Sequence, residues 1–373
     1  MKALHLISGG DTGGAKTHII SLIKSINKLI DAKIICFIED TFYYEAKANK
    51  IDIEIFEQKN RADLAVIKRL ADEIEKEKYD IIHCHGARAN FIGMFLKSRI
   101  KVPLITTMHS DYKLDFRDNF YKRMVFTTLN KIALNRFDYY IAISDTFKEM
   151  LVERGFDGDQ IYTLYNGIDM EMEIEYIDKM DFLKAHNIEY KGETIIGIIA
   201  RLDKVKDHET FLRAAKTLID DKKDVIFLIA GNGNDEKRLI SLCEEFNIKE
   251  NVHFIGFIDD PFSFFNAIDI NTLTSLSESF PYAVLEGALM KKPIISTNVG
   301  GLKELIIDGE TGYLVDVGDY RELAKKINIF LDDKDKLEEI GKNLYEKVKN
   351  EFSSDAMAEE HVKIYKEIIK KEK

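Results

Sequence analysis

The sequence predicts an α/β protein made of two Rossmann-like units, each a parallel sheet covered by helices. Two observations carry that expectation. Strand-length apolar runs alternate with helix-period segments twice along the chain, the pattern of a doubly wound sheet. At 373 residues, the chain also exceeds what one hydrophobic core usually supports. The charged, irregular stretch from Met170 to Lys191 reads as a linker with a lead-in helix. It places the units at residues 1–168 and 190–353 and leaves 354–373 as a final helix with a Lys-rich end.

The first half opens on an apolar strand, Leu4 to Ile7, then SGGDTGGA, then a helix with Ile19, Leu22, Ile23 and Ile26 on one face. Strand, glycine loop and helix let backbone approach a phosphate or sugar. Asp11 occupies the second glycine position of the dinucleotide fingerprint, and no Lys-Ser/Thr pair stands at the Walker spacing, since Ala15 separates Lys16 from Gly14. Strands AKIICFI, DIIHCHG, PLITTMH and YYIAIS come next, with a helical pattern from Leu64 to Lys76 between two of them. His83, His85, His109 and Ser144 fall at or near strand carboxyl ends, where ligands gather in such sheets. His83 and His85 share one strand face and could hold a metal, but no carboxylate or third His has suitable spacing beside them. The expectation is that one packs and the other lines the cleft. Asn166-Gly167 reads as a turn.

The second half repeats the alternation with ETIIGIIARLDKVKDHETFLRAA, where Arg201 and Lys206 leave a strand end. An Arg fork and a Lys point charge suit an anionic ligand. DVIFLIAGNGNDEKRL then gives strand, glycine turn at Gly231, and helix. In SESFPYAVLEGALMKKPIISTNVGG, seven residues separate Glu278 from Glu286. Pro281 suits the first position of a helix, Leu285, Leu289 and Met290 recur at helical spacing, and Pro293 follows its end. Glu278 then lies before the helix, and Glu286 leans back toward the same mouth. Helix N-termini favour anions. A diphosphate at the helix end, a diol on Glu286 and a second hydroxylated group on Glu278 would fit, and a sugar nucleotide has those parts.

Composition excludes several classes. No apolar run reaches the roughly 18–20 residues that span a bilayer. The opening MKALHLISGG stops at glycines and reads as a strand, not a signal peptide. Cys36, Cys84 and Cys243 lack pairing or zinc spacing, which suits a reduced cytoplasm. Residues 1–150 hold 24 Lys and Arg against 20 Asp and Glu, the remainder 30 against 45, and the net charge is −11. Nucleic acid is therefore not an expected partner.

The stretch ESFPYAVLE resembles the donor-site signature of the retaining glycosyltransferases of family 4, whose pattern is Glu-Gly-Phe-Gly, four apolar residues, then Glu. Ser279 replaces the first Gly, Phe280 is kept, and Pro281 replaces the second Gly, removing one N–H donor. The Gly-rich loop with Gly13 and Gly14, Asn166-Gly167, and Arg201 with Lys206 also match. Ala200 and Asp207 stand where the family has Gly, and Asp207 brings a carboxylate toward a phosphate site. The resemblance covers nearly the whole chain. It implies a GT-B fold, two Rossmann-like domains facing each other across a cleft, with the final helix crossing back to the first.

It further implies a hexosyltransferase using a UDP- or GDP-sugar as co-substrate, with no other cofactor. Arg201 and Lys206 would clamp the diphosphate, and His109 and Glu278 would hold the donor sugar. Gly13, Gly14, Asn166, Gly231, Ser279, Phe280, Pro281, Tyr282 and Glu286 would complete the donor site. No Asp-x-Asp pair of the kind fold-A transferases use is evident, so metal-independent catalysis is expected. A glycan or lipid-linked acceptor in cell-surface polysaccharide synthesis is implied by the resemblance. Arg117 to Arg136 mixes cations with aromatic and aliphatic residues and suits an anionic membrane surface, here the inner face of the cell membrane. A buried-face helix would read the same. A GT-B nucleotide-sugar epimerase and a non-catalytic sugar-nucleotide-binding protein stay open beside the transferase.

Overall fold

The computed structural model describes residues 1–10, 14–60, 63–108 and 129–372. The chain divides into two compact units, Met1–Asp169 with Ser353–Lys373, and Met170–Phe352.

Among the described residues, the first unit holds a parallel sheet of β1 (Lys2–Ile7), β2 (Asp31–Cys36), β3 (Ile53–Ile55), β4 (Ile81–His85), β5 (Leu104–Met108), β6 (Tyr139–Ala142) and β7 (Ile161–Thr163). Their spatial order is β3-β2-β1-β4-β5-β6-β7. Strands β4, β5 and β6 are buried along their whole length, as parallel strands covered on both faces must be. The β1–β4 pairing puts His5 opposite His83.

The Gly14–Ile26 helix packs Ile19, Leu22, Ile23 and Ile26 against one sheet face together with Met357, Val362, Tyr365 and Ile368 of the Ser354–Lys371 helix. That last helix therefore belongs to the first unit. Its start is fixed by Ser354 N–H donating to Ile168 O at 2.8 Å and Ser25 Oγ to Ser354 Oγ at 2.9 Å. Gly167 serves this contact: a Cβ there would sit 2.5 Å from Ser353 O. Its glycine answers close chain approach and not the turn that Asn-Gly suggests. All three cysteines are free and buried.

The second unit holds β8 (Thr194–Ile199), β9 (Val225–Ala230), β10 (Val252–Gly256), β11 (Ile270–Leu273), β12 (Ile294–Thr297) and β13 (Tyr313–Val315), ordered β10-β9-β8-β11-β12-β13. Strand order reverses between β8 and β11. That switch point is where doubly wound sheets hold ligands. The Lys179–Ala185 helix leads into this unit. Leu202, Phe211, Leu218, Phe227, Ile270 and Ile295 lie in the core under one sheet face.

Candidate functional site

The loops after β8 and β11 are stitched together. Leu276 N–H donates to Val205 O at 2.7 Å, and Thr274 Oγ1 reaches the carbonyls of Lys206 at 3.1 Å and Asp207 at 2.9 Å. Asp203 Oδ1 accepts from Val205 N–H at 3.0 Å and Lys206 N–H at 3.2 Å, which folds the β8 loop back on itself. The result places Lys206 Nζ 2.5 Å from Glu278 Oε1. Both side chains are largely buried, at 17% and 8% exposure, so this pair is shielded from solvent screening.

Glu278 is held from the other side as well. Gly300 has φ +55°, and a Cβ there would fall 1.8 Å from Glu278 O. Gly301 N–H donates to Ser279 O at 2.8 Å. The glycine pair after β12 thus seats the backbone that carries Glu278 and Ser279.

The helix spans Tyr282–Leu289, and Pro281 is its N-cap, with φ −77° and ψ 128°. The expected first helical position for Pro281 is thus off by one residue. Extended ψ suits the cap, and Pro281 O accepts from Val284 N–H at 3.2 Å. Phe280 is buried and packs on Phe352 with ring centroids 5.2 Å apart. Tyr282 is buried, and burial followed by the nearby Glu286 charge raises its hydroxyl well above the usual range. Glu286 keeps some exposure, yet desolvation pushes its carboxyl up to about 7.

Arg201 does not join the Lys206–Glu278 pair. Its side chain is 78% exposed and lies 3.3 Å from Asp203. Gly231, with φ +131°, lets the β9 loop press on the β8 loop, since a Cβ would meet Ala200 O at 2.0 Å. Asp207 adopts φ +44°, which accounts for glycine at the matching family position. Its carboxyl caps the His208–Asp220 helix, accepting from Thr210 Oγ1 at 2.6 Å and Thr210 N–H at 3.4 Å. This carboxyl is engaged by its own helix.

In the first unit, Gly14 begins a helix and Asn166 is buried. Gly13 and His109 lie outside the described residues, as does 117–128 of the basic-aromatic segment. His83 and His85 are both buried, so neither lines an open surface. The strand pairing also supplies the third histidine that spacing alone did not reveal. His5, His83 and His85 have ring nitrogens within 4.8 Å of one another. They are already engaged, however. His83 Nδ1 meets Tyr365 OH at 2.6 Å and Nε2 meets Thr107 Oγ1 at 2.7 Å, while His5 Nδ1 meets His85 Nε2 at 3.0 Å. The cluster reads as a hydrogen-bond network that ties the last helix to the sheet.

Two tripeptides do spell Asp-x-Asp, and both start on a helix cap. Asp157 Oδ1 accepts from Asp159 N–H at 3.0 Å, and Asp333 Oδ1 from Lys336 N–H at 3.0 Å. Sequence reasoning missed Asp203, Thr274 and Ser275, which shape the site from loops with no motif of their own.

Residues 179–347 match the family model described as Glycosyl transferases group 1, and residues 12–172 the model Glycosyltransferase Family 4. The N-acetyl-alpha-D-glucosaminyl L-malate synthase of Bacillus anthracis is 26% identical over 315 residues, 83% of this chain and 81% of that protein. The capsular polysaccharide biosynthesis glycosyltransferase CapM of Staphylococcus aureus is 26% identical over 331 residues, 86% and 84% of the two chains. Among solved structures, Anabaena HepE in complex with UDP and glucose superposes with a TM-score of 0.82 at 20% identity, covering 98% of this chain and 100% of that one.

Proposed function

Since the chain belongs to the family 4 glycosyltransferases of group 1 and has their GT-B fold class, we propose that it moves a hexosyl group from a UDP- or GDP-sugar, with retention, to a glycan or lipid-linked acceptor. The observation that carries this reading is the Lys206–Glu278 pair, set between the β8 and β11 loops beside the mouth of the Tyr282–Leu289 helix. Its parts divide the work. Lys206, Arg201 and the first N–H groups of the helix offer positive charge to a leaving diphosphate, an electrostatic role. Glu278 offers a carboxylate oxygen to a sugar hydroxyl, a positioning role. Glu286 suits the ribose diol, and the desolvation of its carboxyl strengthens hydrogen bonds to it once ionised. His109 is proposed beside the donor sugar on resemblance alone. Transfer needs no enzymic nucleophile in this reading, because the acceptor attacks on the face the diphosphate leaves.

Relatives named for capsule synthesis support a role in cell-surface polysaccharide assembly. HepE bound to UDP and glucose supports a uridine diphosphate donor. The test is release of nucleoside diphosphate from a panel of UDP- and GDP-sugars, with and without glycan acceptors. Wild type should consume one donor, and Glu278→Gln should lower that rate by about a hundredfold or more. A Glu278→Gln protein as active as wild type would overturn the assignment. Donor isomerised without acceptor would favour the epimerase.

A further inference from the structure

Glu278 receives two hydrogen bonds, and both end on one atom. Lys206 Nζ reaches Oε1 at 2.5 Å, and Ser275 Oγ reaches the same Oε1 at 2.6 Å. No described residue donates to Oε2 in the structure. The carboxylate is therefore turned so that one oxygen faces the protein and the other is left for a ligand.

The two donors are not equivalent. Lys206 has a mobile stem and an ammonium with three donors, and a diphosphate draws it by charge. Ser275 is fully buried and cannot follow a ligand. Its carbonyl accepts from Thr297 Oγ1 at 2.7 Å, and its neighbours Thr274 and Leu276 are tied to the β8 loop. The terminal torsion of a Glu carboxylate is soft and roughly two-fold, so one fixed donor decides which oxygen points out.

We propose that Ser275 is a positioning residue: it holds Glu278 Oε1 so that Oε2 faces a hydroxyl of the donor sugar, and keeps it there when Lys206 turns to the diphosphate. This rests on the donor-site reading above. It adds that sugar alignment and diphosphate binding share Lys206 but are separated by Ser275. Losing the hydroxyl leaves the nucleotide subsite intact and misaligns the sugar.

The experiment uses the full chain and the panel of UDP-glucose, UDP-galactose, UDP-N-acetylglucosamine and GDP-mannose, with turnover measured on whichever wild type consumes fastest. Ser275→Ala should lower kcat about tenfold to a hundredfold, as small misplacements at reacting centres do. Its Kd for the released UDP or GDP, read by calorimetry, should stay within about twofold of wild type. The melting midpoint should be unchanged, and Ser275→Thr should recover most of the lost kcat. If the alanine variant does not fold, Ser275→Cys replaces it, keeping the volume with a much weaker donor. An unchanged kcat overturns the proposal. So does a loss of kcat that travels with nucleotide affinity or melting midpoint, or a folded threonine variant as slow as alanine. Glu278→Gln separates the two readings. If it is inactive while Ser275→Ala is not, the donor site stands and this inference fails. If Glu278→Gln matches wild type, or wild type consumes no donor in the panel, the donor-site reading falls and takes this inference with it.

Discussion

In the proposed donor site, Glu286 would join protonation to ligand binding. Its carboxyl is pushed up to about 7 by desolvation, whereas a ribose diol donates hydrogen bonds and needs the anion. Donor affinity should therefore rise as pH climbs through about 7 and level off above it. Calorimetric titration of the nucleoside diphosphate between pH 6 and 8.5 checks this, and Glu286→Gln should flatten the profile. Glu286→Ala should weaken binding by about 1.5–3 kcal/mol, the worth of a charge-assisted hydrogen bond. A flat wild-type profile with an unchanged alanine variant would remove the diol assignment. Glu278 and Glu286 were legible in the sequence because their spacing is itself the signal. Ser275 was not, because a serine two residues past a buried strand carries no pattern, and only the folded loop shows what it touches. Asp207 was half legible: the departure from glycine was visible, but its left-handed backbone and capping role were not.

At the scale of elements, the segment Arg117 to Arg136 is described only at its end. Residues 129–134 are helical, with Ala133 and Leu134 buried while Leu129 and Ile132 are 40% and 50% exposed. Lys131 and Arg136 are exposed beside them. Apolar and cationic side chains on one accessible side are what an anionic bilayer surface engages, at about 1 kcal/mol per Lys or Arg. Wild type should pellet with anionic vesicles at low salt and release at high salt. Changing Lys122 and Arg123 to Glu, or Leu129 and Ile132 to Ser, should lower the bound fraction. Wild type remaining in the supernatant throughout would favour a soluble acceptor. Long periodic helices and the buried strands around them were legible in the sequence. The three-residue strands β3 and β7 were not, since so short a run shows no period. The start of the Tyr282–Leu289 helix slipped by one residue because proline fits both the cap and the first turn.

At the scale of the molecule, buried histidines set the acid limit. Burial lowers His5 to about 3 and His361 to about 4 in the first unit, and His208 to about 4 in the second. These folded values lie below the usual 6.5, so the unfolded chain binds more protons. The stability they contribute is complete above about pH 6.5 and is lost as pH falls toward 3–4, on the order of 2 kcal/mol per histidine between pH 7 and 5. Glu286 works in the opposite sense, because its raised value favours the folded state as pH drops below 7. Three histidines against one carboxyl leave a net loss. The melting midpoint by circular dichroism should fall steeply from pH 7 to 5, and a flat curve would contradict this account. If Lys206, Arg201 and the helix N-terminus supply the positive charge for the diphosphate as proposed, catalysis should survive EDTA. Complete loss restored by Mg²⁺ or Mn²⁺ would reverse that expectation.

The assignment of Ser353–Lys373 to the first unit makes the second unit a nested insertion within the first. Synthesis is vectorial, so Met170–Phe352 leaves the ribosome as an uninterrupted segment and can fold as soon as it emerges. The first unit starts earlier and finishes later. Until Tyr365 and Ile368 arrive, the apolar face of the Gly14–Ile26 helix and the buried histidines beneath it have no cover. The half made first must therefore wait, incomplete, through the whole synthesis of its insert. That interval is when a nascent chain of this kind is most open to chaperone binding and aggregation.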